Sequence, residues 1–233
     1  MRGNKVCGAM PLYLKSHSWG EFVFDHAWAE AFHRAGRVYY PKLVSCIPFT
    51  PVTGPRILAA GEQEKEVTGR LLADTATSLC RQLGASSLHV LFPLESELET
   101  FATAGMLRRK DCQFHWHNQG YRNFDDFLQA LSSSKRKMIR RERRRVQEQD
   151  IELDVLHGDE MSEQQWRIFH RFYESTFERK SGMPTLSLAF FMALAERMPR
   201  NMVVVLARHH NQYVAGAFNM RSHDTLYGRH WGC

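Results

Sequence analysis

MVVVLARHHNQYVAGAFNMRSHDTLYGRHWGC, residues 202–233, closes the chain. It is rich in β-branched and aromatic residues, and two short polar turns, at 209–212 and 222–224, cut it into three pieces of strand length. It therefore reads as a three-stranded antiparallel meander. Upstream, IELDVLHG (151–158) alternates as a strand should. Ser162 with Gln165 gives a capping-box start to a helix that carries Trp166, Phe169, Tyr173 and Phe177, and residues 187–198 give a second helix, stopped by Pro199. Strand, two helices and meander make a layered α/β unit.

The meander has an echo. KVCGAMPLYLKSHS, from Lys5, resembles QYVAGAFNMRSHDT, from Gln212: Val6-Cys7-Gly8-Ala9-Met10 lies over Val214-Ala215-Gly216-Ala217-Phe218, and Ser16-His17 over Ser222-His223. One copy opens the chain and the other nearly closes it. The expectation is the second half of one α/β unit followed by the first half of a similar one, cut at both ends from a longer protein.

Between them, GEFVFDHAWAEAFHRAG (20–36) reads as a short strand turning into a helix closed by Gly36. YYPKLVSCIPFTPVTGPRIL (39–58), with four prolines, reads as extended chain followed by a rigid loop. Residues 62–83 have helical spacing before Gly84. SSLHVLFP is a strand, 96–104 a short helix, and LRRKDCQFHWHN (107–118) a further strand. Asn123 is placed to cap a helix with Asp125 and Asp126 in its first turn. At about 100° per residue, Phe124, Phe127, Leu128, Leu131, Met138 and Val146 fall on one side and most arginines on the other, with a fresh start at Ser132-Ser133-Ser134.

That helix holds the charge. The net charge is +6, yet residues 135–145 alone contain eight basic residues against one acid, so the rest of the chain is close to neutral. With 43% hydrophobic and 12% aromatic residues among 233, a sizeable core is expected and disorder is not. Five scattered cysteines without a CxxC pair read as reduced thiols, and no run approaches the roughly 20 apolar residues of a membrane span, which together read as a cytoplasmic chain.

HSWGEFVFDHAWAEAF, YYPKLVSCIPFTPVTGPRIL, FHWHNQGYRNFDDFLQALSSSKRKMIRRERR and FYESTFERKSGMPTLSLAFFMAL resemble the bacterial FemAB-like proteins. These are described as peptidoglycan biosynthesis or recognition proteins of the GNAT acyltransferase superfamily. The resemblance covers nearly the whole chain. It implies an α/β (α+β layered) fold of tandem GNAT-like units: 1–120 as the second half of the first, 121–150 as a basic connecting helix, and 151–233 as the first half of the second. It also implies an N-acyltransferase-like activity, placing an acyl or aminoacyl group on an amine of a peptidoglycan precursor or similar molecule. The alternative is a non-catalytic recognition module binding an anionic cell-wall precursor or RNA. Better-known relatives take amino acids from aminoacyl-tRNA, so acetyl-CoA and aminoacyl-tRNA are the two candidate donors. The Gly-rich Q/R-x-x-G-x-G/A turn that would cradle a CoA pyrophosphate is absent from GEFVFDHAWAEAF, and the second unit ends before its place.

Such chemistry needs a route for the amine's proton and donors for the developing oxyanion. His17, Glu21 and Asp25, where strand hands over to helix, are the acid-base candidates, against Asp25 as a helix N-cap and Glu21 as a solvated strand residue. Tyr40, Lys42, Thr50, Thr53, Gly54 and Arg56 offer donors for a phosphate or carboxylate on a proline-stiffened loop, against a rigid loop with Arg56 paired to a surface acid. Tyr227, Arg229 and His230 on the last strand are candidates to line a cleft of the second unit. His115-x-His117 and His209-His210 lack a third ligand at a telling distance, so no metal is expected. Lys135, Arg136, Arg140, Arg141, Arg143 and Arg144 are the candidates for an anionic partner, a cell-wall precursor or tRNA, or else form a solvated face. No motif of a sequence-specific DNA reader is present.

Overall fold

The computed structural model describes residues 5–61, 64–180 and 182–233, and they form a mixed, layered α/β fold. The chain divides into two compact units, Met1–His115 and Trp116–Cys233.

In the first unit, the opening segment is not one strand. Pro11, which has no N–H to give a ladder, falls between β1 (Gly8–Ala9) and β2 (Tyr13–Lys15). These join different sheets: β1 pairs antiparallel with β4 (Leu58–Ala59), while β2, β3 (Lys42–Ser45) and β5 (Leu88–Val90) form a sheet in the order β2-β3-β5, with β3 and β5 parallel. Helix α1 (His26–Arg34) follows residues 16–25, and α2 (Lys65–Gln82) precedes β5. The two residues at which the sequence pattern starts α2, 62 and 63, lie outside the described residues. Helix α3 (Leu98–Thr103) comes after a short 3-10 turn.

Two expectations fail here. GEFVF is not a strand: Gly20, Phe22 and Phe24 have φ of 75°, 59° and 48°, a left-handed course that is strained for phenylalanine and turns Glu21 inward. Residues 107–118 form no strand either. They are exposed throughout, because Arg108, Arg109, Lys110 and Asp111 resist burial and no neighbouring strand completes a ladder.

The second unit follows its sequence pattern closely. Asn123 caps α4 (Phe124–Gln129) by accepting the Asp126 N–H at 2.9 Å. Ser132 then starts the basic helix α5 (Ser133–Glu148). Strand β6 (Ile151–Leu156) leads to α6 (Glu163–Arg179), opened by the Ser162–Gln165 capping box, and α7 (Leu188–Arg197), capped by Ser187. The meander β7 (Met202–His209), β8 (Gln212–Arg221) and β9 (Leu226–Gly232) completes an antiparallel sheet in the order β6-β7-β8-β9. Alternate residues Met202, Val204 and Leu206 of β7, with Phe218 of β8, meet Trp166, Phe169 and Tyr173 of α6 and Phe191 of α7 in a buried core. The Phe169 and Phe191 rings meet edge to face at 5.4 Å. Each such ring removed from water contributes about 2–3 kcal/mol.

The repeated glycines have matching surroundings. A Cβ on Gly8 would lie 2.4 Å from Thr68 Cγ2 of α2 and 2.9 Å from the Leu58 carbonyl oxygen; a Cβ on Gly216 would lie 3.0 Å from the Phe169 ring of α6. In each unit the glycine lets a strand pass close beneath a helix.

Candidate functional site

Lys42 opens β3, and strand alternation puts it on the face shared with Val44 and with His89, which is paired to Val44 across the parallel ladder. Residues 16–25 fold over that face. Lys42 Nζ donates to Glu21 Oε2 at 2.7 Å, to Asp25 Oδ2 at 2.5 Å and to Ser18 Oγ at 2.8 Å, and Lys42 and Asp25 are fully buried. Lys15 reaches the other Glu21 oxygen at 3.0 Å, so two ammonium groups balance two carboxylates. Tyr39 donates its hydroxyl proton to Asp25 Oδ2 at 2.6 Å, and the Tyr40 hydroxyl bonds Ser18 at 2.8 Å. Asp25 stands at the N-cap position of α1 but makes no side-chain cap bond; its carboxylate is turned to Lys42 instead.

Each ionisation follows from these neighbours. Burial alone would raise the Asp25 carboxyl, but the hydrogen bonds from Lys42 and Tyr39 outweigh it and hold the group well below the usual carboxylate range. Burial, then the Asp25 charge, pushes the Tyr39 phenol well above its ordinary value. Burial, then the nearby Lys42 charge, lowers His89, so its imidazole is neutral at pH 7. His89 Nε2 lies 2.8 Å from Ser87 Oγ and 3.4 Å from the Tyr39 hydroxyl. The network thus runs from sealed charges to a half-buried, uncharged imidazole.

Of the acid-base trio read from the sequence, Glu21 and Asp25 come together on Lys42, and Glu21, with 2% exposure, is no solvated strand residue. His17 stays outside, exposed, its Nδ1 accepting the Trp19 N–H. Tyr39, Ser87 and His89 were missed. His89 had a signal: it is the one titratable residue in SSLHVLFP, and alternation sets it on the face opposite Leu88 and Val90.

Arg56 is neither an anion donor nor paired to a surface acid. It is fully buried, and its guanidinium donates to the carbonyls of Leu91 (2.8 Å), Gly54 (2.9 Å), Val52 (3.0 Å) and Pro55 (3.1 Å), holding the loop from within. Glu97 reinforces it by accepting the backbone N–H groups of Arg56, Ile57 and Leu94. Thr50 bonds the Pro48 carbonyl, and Thr53 faces solvent. Of the donors expected to converge on a ligand, Lys42, Thr50 and Arg56 bond within the protein, and Thr53 is exposed.

In the second unit, His230 lies among aromatic rings, 4.8 Å from Tyr173 between ring centres and stacked on Phe218. Burial lowers its pKa to about 4, and Nε2 has no hydrogen-bond partner among the described residues. Arg229 is the extra residue of a bulge, since His230 pairs with Phe218 and Gly228 with Asn219, and burial lowers its pKa too. Tyr227 is half-buried opposite Met220.

Helix α5 buries no residue. Arg143 lies over the Phe124 ring at 4.2 Å, Arg140 is 3.9 Å from Asp125, and Arg136 donates to the Gln129 carbonyl at 3.3 Å. Lys135, Arg141 and Arg144 make no ion pair among the described residues, and residues 141–150 are all exposed. Among the described residues there is no group of three side chains able to hold a metal ion, and no helix long and apolar enough to cross a membrane.

No curated protein matches the chain. The model of the FemAB-like family, described as peptidoglycan biosynthesis/recognition, matches residues 1–233, and the chain belongs to that family.

Proposed function

We propose that the protein is an N-acyltransferase of the GNAT type, built from tandem units and working in the cytoplasm. It would move an acyl or aminoacyl group onto an amine of a peptidoglycan precursor or a similar molecule. The observation that carries this reading is the buried Lys42–Asp25–Tyr39 network ending on neutral His89. An attacking amine must lose a proton, and a neutral imidazole at the edge of a fixed charge network is suited to take it. Glu21 and Asp25 then act by holding Lys42 and Tyr39 in place, because at 0–2% exposure they cannot touch a substrate. Acetyl-CoA and aminoacyl-tRNA remain the donor candidates. The uncompensated cations of α5 favour a donor or acceptor rich in phosphate, a nucleotide-linked precursor or tRNA.

The sealing of Glu21 and Asp25 also favours a second reading, a recognition module that keeps the fold without catalysis. Binding of purified protein to aminoacyl-tRNA, acetyl-CoA and a nucleotide-linked muropeptide, followed by a transfer assay with the tightest pair, separates the two. Catalysis predicts acylated amine, with His89→Gln lowering kcat by about 10²–10⁴-fold at unchanged affinity. Ligand binding without any product would leave recognition standing. Binding lost on neutralising Arg140, Arg141, Arg143 and Arg144 would assign the phosphate-rich partner to α5.

A further inference from the structure

Ser87, immediately before β5, and His89, within it, lie two residues apart, and their Oγ and Nε2 atoms are 2.8 Å apart. Building on the acyltransferase reading, we propose that Ser87 is a nucleophile and His89 its base, so that the acyl group passes through a covalent Ser87 ester before it reaches the amine.

The hydrogen bonds around His89 support two protonation states in turn. Tyr39 donates its only proton to Asp25 at 2.6 Å, so towards His89, 3.4 Å away, its oxygen can only accept. In the neutral tautomer that carries its proton on Nδ1, Nε2 is the acceptor for the Ser87 proton. Once Nε2 carries that proton it can donate to the Tyr39 oxygen, whose partial negative charge Asp25 reinforces. Tyr39 and Asp25 thereby supply the stabilisation that a carboxylate gives a serine–histidine pair, here delivered to the same ring nitrogen. Tyr39 is a positioning residue; Ser87 and His89 are the reacting groups. The charged groups around His89 are Asp25, Glu21, Lys42 and Arg109, and burial with the Lys42 charge keeps the ring unprotonated at neutral pH.

The entrance fits an activated ester. The half-exposed indole of Trp28 lies 6.3 Å from the His89 ring, and the Arg109 guanidinium covers Trp28 at 5.1 Å, pairing an apolar wall with a cation. The donor class is therefore a carboxylic ester or thioester with an anionic leaving portion. In the first half-reaction Ser87 Oγ bonds to the acyl carbon, its proton moves to His89 Nε2, and the bond to the leaving oxygen or sulfur breaks as that atom takes the proton. In the second, the amine nitrogen bonds to the acyl carbon and gives its proton to His89. The Ser87 ester bond then breaks and the proton returns to Oγ, regenerating the site.

The probe is p-nitrophenyl acetate with the full chain, read by p-nitrophenolate release and peptide mass spectrometry. A burst of one equivalent per chain with one acetyl group on residue 87 is expected. Ser87→Ala should abolish the burst, His89→Gln should slow it about 10²–10⁴-fold, and Ser87→Cys should retain it as a thioester, showing that substitution at 87 leaves the fold intact. No acetyl on residue 87, or labelling indifferent to His89→Gln, overturns the covalent route even where amine acylation persists by direct transfer. A Ser87 ester that water alone discharges would uphold the pair and overturn the acyltransferase reading instead.

Discussion

The two units place polar groups in their interiors by opposite means. The first keeps full charges, Lys42 against Glu21 and Asp25, at 0–2% exposure and cancels them locally. The second builds its aromatic core around neutral polar groups: His230 sits uncharged among aromatic rings, and the Tyr173 hydroxyl accepts the N–H groups of Thr185 and Leu186 at 3.0 and 3.1 Å. A charge lock fixes geometry at a high desolvation cost, whereas a neutral aromatic core packs cheaply and specifies no chemistry. The difference sets the proposed site in the unit that carries the charge lock, and the more regular scaffold in the other.

The largest expected effect attacks the lock. Lys42→Met leaves the buried Asp25 carboxylate without a cation and Glu21 with Lys15 alone, and should cost about 3–5 kcal/mol, seen in urea unfolding and in lost amide protection over β3 and α1. Adding Glu21→Gln and Asp25→Asn should recover much of that loss. A single substitution costing under about 1 kcal/mol would mean the lock is solvated and the contrast false.

Acid should separate the units next. His230 has a folded pKa of about 4 against an ordinary 6.5. As pH falls from 6.5 towards 4 the unfolded state takes the proton first, so stability is lost across that window, by about 3 kcal/mol at its end. Asp25 behaves the other way. Its folded pKa is depressed, so its contribution is complete above the ordinary carboxylate value and disappears only below it. His89, lowered by burial, pulls the first unit in the same sense as His230, so the comparison is made in His89→Gln. Hydrogen exchange should then show α6 losing protection between pH 6.5 and 4 while β3 keeps it; equal losses would remove the distinction.

The repeated glycines offer a finer test. Gly8→Ala meets a backbone oxygen at 2.9 Å and should cost about 1–3 kcal/mol. Gly216→Ala meets side chains that can shift and should cost less. Equal shifts in unfolding midpoint would make the two positions equivalent. Smallest of all, Arg141, Arg144 and Arg145 changed together to Gln should alter stability within about 0.5 kcal/mol, since they are exposed and make no side-chain ion pair among the described residues. A larger loss would make α5 part of the scaffold.

The second unit was legible because its signals are local. The capping box at Ser162, the cap at Ser187 and the polar turns of the meander each act within four residues, and the structure keeps them all. The site was legible in composition and not in arrangement. Glu21, Asp25 and Lys42 could be picked out, but their meeting requires residues 16–25 to close over β3, a contact some twenty residues apart that no period encodes. The left-handed turns at Phe22 and Phe24 that allow it run against what phenylalanine favours, so local propensity pointed to a strand. Arg56 misled for a related reason: a guanidinium among glycine and prolines suits an outside anion and the loop's own carbonyls equally well until the loop's path is known.

The hydroxyl proton of Tyr39 lies on a 2.6 Å line between a phenol and a carboxylate that water does not reach. Short charge-assisted bonds of this kind deshield and retain their protons. The protein therefore carries its own beacon, a slowly exchanging downfield proton resonance with no label required, that will report whether residues 16–25 are closed over β3 and which ligand, when one is found, disturbs them.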